Sequence, residues 1–151
     1  MRGKEVDIGL LIIRLAVGVF LLYYGCQKML GVFGGHGFQS QIQDFQKMGF
    51  PPLFGTLSVF AEFFGALGLI TGTLTRVAAF GVFCNMAVAA WFSAKAPDLV
   101  HNIFVYGDPM EARSLFYPVI LCLGALAIVF TGAGIYSIDA KLFGKPARKR
   151  G

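Results

Sequence analysis

Apolar residues gather in four long runs, at about residues 8–30, 53–74, 77–94 and 115–136. Each holds about 18–23 residues. At about 1.5 Å of rise per residue, each is long enough to cross a hydrocarbon core of about 30 Å as a helix. The first run is too long for a cleaved leader, and Glu5, Asp7 and Arg14 are wrong for one, so it is expected to stay as an anchor. Between the runs lie a long loop (31–52), a tight hairpin around Gly72–Arg76, and a second long loop (95–114). Within the first loop Phe38, Ile42, Phe45 and Met48 recur at helical spacing among Gln39, Gln41, Gln43, Asp44 and Lys47. Gly49 and Pro51-Pro52 then stop the pattern. This predicts a short amphipathic helix lying in the membrane interface, with an ordered surface loop as the alternative.

The expected fold class is therefore all-α: an integral membrane four-helix bundle forming one domain over residues 1–151, with a basic tail at 137–151. Composition agrees. The chain is 56% hydrophobic and 14% charged, against about 25% charged in soluble domains. Too few polar residues remain to cover a soluble globule, and a disordered chain would be more polar still. Of the 13 Lys and Arg residues, Arg2, Lys4, Arg76, Lys141, Lys145, Arg148, Lys149 and Arg150 fall on the side of the termini and hairpin. Lys28, Lys47, Lys95 and Arg113 fall toward the other side. The positive-inside rule then places both termini in the cytoplasm. The tail has no aromatic or glycine-rich accompaniment, so it reads as a partner of anionic lipid and not of nucleic acid. Tyr23, Tyr24, Trp91, Phe92, Phe116 and Tyr117 lie at the expected outer ends of the spans, at headgroup level, and Tyr136 marks an inner end.

Charge inside a membrane is costly, by roughly 2.5–3.5 kcal/mol at the centre on insertion scales. Arg14, Lys28, Glu62 and Asn85 are thus the candidate polar centre. Arg14, Gly18, Leu21, Gly25 and Lys28 share one helical face. Gly55, Ser58, Glu62, Gly65 and Gly72 share another, and Ala78, Gly81, Asn85 and Ala89 a third. Tyr117, Gly124 and Thr131 line up on the fourth span. Such small and polar stripes suit close helix packing and hydrogen bonds between helices. By depth, Arg14 and Glu62 differ by about 9 Å, within reach of two extended side chains. They form the expected internal pair, while Lys28 snorkels to headgroups. The pair has two readings, a pin for helix register or the lining of a ligand cavity or proton path. Cys26, Cys84 and Cys122 read as small buried hydrophobes, and His36 and His101 as loop residues. No metal site, nucleotide motif or catalytic constellation is expected.

Arg14-x-x-x-Gly18 with Gly25-x-x-Lys28 resembles the first-helix signature of the DoxX family. Ala61-Glu62-x-x-Gly65, Leu69, Gly72 and Thr75-Arg76-x-Ala78-Ala79 resemble its second helix and hairpin. Glu111 and the run from Gly132 to Asp139 resemble its closing pattern. Ala66 departs from it, where relatives often carry a second glycine. The resemblance implies a protein of the bacterial cytoplasmic membrane. It implies a membrane subunit or anchor of a quinone-linked redox complex, of the thiosulfate:quinone oxidoreductase kind or one tied to thiol or oxidative stress. Quinone would be the ligand, not covalently held, and the partner a redox protein or a second copy of the chain. The ligand-binding candidates are Arg14, Lys28, Glu62 and Asn85, with Tyr117 and Glu111 as second choices. The competing function is a non-enzymatic assembly scaffold or a small-solute transporter. Whether the chain belongs to an enzyme stays open, since it carries no self-contained catalytic motif.

Overall fold

The computed structural model describes residues 3–95, 103, 107 and 109–143, with the side chain of Glu111 excepted. Helix α1 spans Lys4–Leu30, α2 Gly37–Lys47, α3 Pro52–Thr71, α4 Thr75–Ala94, α5 Pro109–Thr131 and α6 Ile138–Phe143. Four of them, α1, α3, α4 and α5, are long and apolar enough to cross a membrane. They form a ring in which α1 packs on α3, α3 on α4, α4 on α5, and α5 back on α1. Four crossings bring the start of α1 and the end of α5 to one end of the bundle, called here the terminal end.

Local chemistry sets the boundaries. Acidic Glu5 and Asp7 occupy the first turn of α1 and Lys28 the last, matching the helix dipole. The helix therefore starts at Lys4, earlier than the apolar run. Pro52 opens α3, and Gly72 ends it in the left-handed region at φ 74°. The fourth span is displaced from the predicted 115–136. Its helix opens at Pro109, a residue suited to a first turn, and Gly132 stops it at φ 78°. Tyr136 consequently lies beyond the helix, in a segment that folds back across the terminal end. The amphipathic segment of the first loop is helical as expected. Its α2 lies across α3 at Gly55, where an added Cβ would sit 3.2 Å from Ile42 Cα.

The core joins Val17 and Leu21 of α1, Ala66 and Leu69 of α3, Ala79, Val82 and Met86 of α4, and Leu121, Ala125 and Ile128 of α5. Glycine sets the α1–α3 spacing. A Cβ on Gly25 would lie 3.0 Å from Phe63 Cα, so the two backbones meet there. The polar stripes of α1 and α3 are buried as their periodicity indicates. Those of α4 and α5 are not. The buried face of α4 is Thr75, Ala79, Val82 and Met86, one position round from the expected one. On α5 Leu121, Ala125 and Ile128 take the core, and Tyr117, Gly124 and Thr131 are half-buried. Bulkier apolar side chains fill the centre, and on α4 the small, polar face turns toward a cleft instead.

Candidate functional site

That cleft is a cavity of about 570 Å³ between α3 and α4, within the range of ligand pockets (about 300–1,000 Å³). Gly81, Asn85 and Ala89 form its α4 wall. Phe45 and Met48, from α2 and its end, join Phe50, Phe54 and Phe92 in an apolar wall. Among the described residues, the charged groups lining it are Lys28 and Glu62.

These two make an ion pair. Lys28 Nζ lies 2.6 Å from Glu62 Oε1, and Asn85 Nδ2 donates to the same oxygen at 3.0 Å. Glu62 is 3% exposed, and its second oxygen, Oε2, is buried with no hydrogen-bond partner among the described residues. The sequence explains the meeting. Gly25 brings α1 onto the Glu62–Phe63 backbone, and Lys28, one turn further, then reaches across to the carboxylate. Lys28 therefore does not snorkel to headgroups as expected; a buried counter-ion holds it inward.

Arg14 and Glu62 do not form the expected pair. Arg14 is 1% exposed and lies at the terminal end of α3. Its Nε donates to Leu69 O at 2.9 Å and its guanidinium to Ile70 O at 3.4 Å. It also donates to Ala133 O and, at 3.2 Å, to Tyr136 O. The last-turn carbonyls of a helix lack intrahelical donors and carry its partial negative charge, so they satisfy a buried cation without a carboxylate. Leu69 is seven residues past Glu62, about 10 Å along the helix. These nearer acceptors claim the guanidinium before Glu62 can.

Around Arg14 the terminal end is closed by further polar contacts. Buried Asp7 accepts from Ile135 N at 3.3 Å through Oδ1. Ser137 Oγ caps α6 by accepting from Ala140 N at 3.0 Å. Asp139 accepts from Leu74 N and Thr75 N, both at 2.8 Å, and so caps α4 from a distant segment. Partial desolvation pushes the Asp139 carboxyl up, but these N–H donors hold it below the ordinary carboxylate range. Asp7 and Ser137 escaped sequence reasoning as polar contacts. Asp139 appeared only as the last residue of the closing pattern.

Of the sequence candidates, Lys28, Glu62 and Asn85 come together, and Arg14 stands apart. Tyr117 is not among the cavity-lining residues; it packs against Tyr24, with ring centroids 4.5 Å apart, and its hydroxyl is buried without a partner among the described residues. Arg113 donates to Tyr24 OH. The Glu111 side chain, His101 and the tail residues from Gly144 onward lie outside the described residues. The apolar wall from Phe45 to Phe54 was not expected as part of a site. The amphipathic spacing of α2 was its signal.

The match to the DoxX family model covers residues 9–95, the stretch that holds both Arg14 and the Lys28–Glu62–Asn85 cluster. The chain belongs to the DoxX family. It is 30% identical over 141 residues to the inner membrane protein YqjF of Escherichia coli (strain K12), covering 92% of this chain and 95% of that one. No solved structure matches. This DoxX protein is thus a four-span integral membrane protein whose polar residues divide between a closed terminal end and an apolar cavity.

Proposed function

We propose that this DoxX protein is a bacterial inner-membrane subunit or anchor that binds a quinone-type molecule between α3 and α4 for a redox partner. The observation that carries this reading is the cavity itself: apolar walls around one ion pair, Lys28–Glu62, with Asn85 beside it. A lipid-soluble ring with a short polar edge suits such a slot. Lys28, Glu62 and Asn85 would hold the polar edge, and Phe50, Phe54 and Phe92 would flank the ring. Such a ligand supplies two-electron, two-proton chemistry when bound. The chain's own part is to bind it, orient it and keep water from it. Inner-membrane placement is supported by the relative named an inner membrane protein. Lys4, Arg76 and Lys141 at the terminal end support cytoplasmic termini.

Quinone-type lipids should co-purify with the protein after mild detergent extraction and be identified by mass spectrometry. Gly81 lines the cavity, and an added Cβ there meets nothing within 4 Å. Gly81→Leu should therefore fill the space and expel the ligand without lowering the melting temperature. A ligand retained by that variant refutes this location. A stable protein partner with no such lipid would move the function to a scaffold.

A further inference from the structure

We propose that Glu62 and Tyr117 share one buried water molecule, and that through it Tyr117 positions the carboxylate that holds Lys28 at the cavity. No ligand in the cavity is needed for this. Two polar atoms of the bundle interior require it. Glu62 Oε2 and the Tyr117 hydroxyl are both buried, and neither has a hydrogen-bond partner among the described residues. A buried polar atom left bare is costly, and more so when it carries charge. The two needs are complementary. As partner of the Lys28 ammonium, Glu62 is a carboxylate and can only accept, whereas a tyrosine hydroxyl can donate.

The helices bring the two groups to one level. Glu62 stands one turn outward of Ala66 on α3, and Tyr117 one turn outward of Leu121 on α5. Ala66 and Leu121 both belong to the core, and Tyr117 packs against it. Tyr117 also lies within electrostatic reach of Glu62. Its other polar neighbour, Tyr24, offers it a ring at 4.5 Å, while the Tyr24 hydroxyl accepts from Arg113. Two polar groups that interact without a direct bond are the setting in which a water sits between. Such a water has the two polar partners that burial demands of it. It donates to Oε2 and accepts from the Tyr117 hydroxyl.

Each span then gives one polar side chain to a single layer: Lys28 from α1, Glu62 from α3, Asn85 from α4 and Tyr117 from α5. Oε1 takes Lys28 at 2.6 Å and Asn85 at 3.0 Å, and Oε2 takes the water. With both oxygens satisfied, the carboxylate keeps its charge and holds the ammonium inward. Tyr117 serves this layer from outside the set of cavity-lining residues. It is a positioning residue that acts through Glu62.

The test uses the full-length protein, with isotope-labelled glutamate and tyrosine, in phosphatidylcholine bilayers. In proton-detected solid-state NMR, Glu62 Cδ and Tyr117 Cζ should both show a cross-peak to a water proton, the Glu62 signal being identified by its loss in Glu62→Gln. Water in the cavity alone would not reach Tyr117. Tyr117→Phe should abolish the Glu62 cross-peak and lower the melting temperature by about 2–4 °C, the shift that one hydrogen bond gives at this chain length. A hydroxyl with no partner predicts the opposite, since removing it relieves a cost. An unchanged or raised melting temperature, a Glu62 cross-peak that survives in Tyr117→Phe, or no water at either carbon would overturn the proposal. If the variant does not fold, the two cross-peaks of the unaltered protein decide.

Discussion

Arg14 and Glu62 are the two most buried charged residues of the membrane-spanning helices, and their separation can be measured. The perturbation is a pair of double-mutant cycles, one combining Arg14→Met with Glu62→Gln, the other Lys28→Met with Glu62→Gln. Arg14 donates to four carbonyls. Those of Ala133 and Tyr136 lie near the bundle end, where water can replace the guanidinium. That of Leu69 accepts a fully buried bond and has no such substitute, and that of Ile70 is partly buried. One fully and one partly stranded carbonyl, at roughly 1–3 kcal/mol for a full one, less the relief of no longer burying a cation, put the loss for Arg14→Met at about 1–3 kcal/mol.

The two cycles should then differ. Groups more than about 7–10 Å apart with no shared partner add to within about 0.5 kcal/mol. Arg14 and Glu62 share none, so Glu62→Gln should not recover any of the Arg14→Met loss. Lys28→Met instead strands a buried carboxylate, and Glu62→Gln in that background removes the stranded charge. A coupling of about 1–3 kcal/mol is expected there. Reversible unfolding by a denaturing detergent in mixed micelles measures both cycles. A coupling above about 1 kcal/mol between Arg14 and Glu62 would refute the assignment of Arg14 to backbone carbonyls.

Three further outcomes follow from the same geometry. Gly72→Ala should cost at least about 1–2 kcal/mol, since φ is 74° and the new Cβ would lie 2.6 Å from Ser137 Cβ; melts should show it, with faster proteolysis after Thr131. Asp139→Asn should weaken the cap of α4 by about 1 kcal/mol at neutral pH. Because the folded carboxyl titrates below its unfolded value, near 4, the stability it adds is present above that pH and is lost as pH falls through the lower folded value; the two proteins' melts should therefore converge in acid and stay apart at pH 7. In a background lacking the native cysteines, a Cys at Gln41 should react with a membrane-impermeant maleimide added to intact cells, while one at Lys141 should not; the reverse would invert the orientation.

The four spans were legible because their lengths match a bilayer and their ends carry Pro, Gly or charge. The α2 helix was legible from three helical steps of apolar residues. The candidate centre was legible in part, and the reason lies in what periodicity encodes. It shows which residues share a face, so Glu62 and Asn85 could both be selected from small-residue stripes, although the Asn85 stripe was expected at the bundle centre and lines the cavity instead. It does not show what competes for each polar group. Backbone carbonyls carry no sequence signature, and four of them claim Arg14. The α4 stripe met a related limit. Small residues favour close packing, but a helix bearing both a small face and a Val82–Met86 face turns the larger one inward, where its side chains make more van der Waals contacts, and leaves the small face to line space.

The division of partners has a chemical consequence. Had Arg14 paired with Glu62, its planar fork would have occupied both carboxylate oxygens. The site would then be a closed ion pair with nothing to offer a ligand. The helix end of α3 withholds Arg14 from that role, and Gly25 brings in Lys28 in its place. An ammonium is a point charge and does not span a carboxylate as a guanidinium does, so it engages Oε1 and leaves Oε2 buried without a hydrogen-bond partner among the described residues. Lys28→Arg should accordingly keep the charge and the fold, yet its larger fork would engage both oxygens and take up cavity space beside Glu62. Quinone-type lipid retained after mild detergent extraction should fall, with an unchanged unfolding midpoint. If the arginine variant retains as much lipid as the natural protein, the Lys28–Glu62 pair is not where the ligand sits.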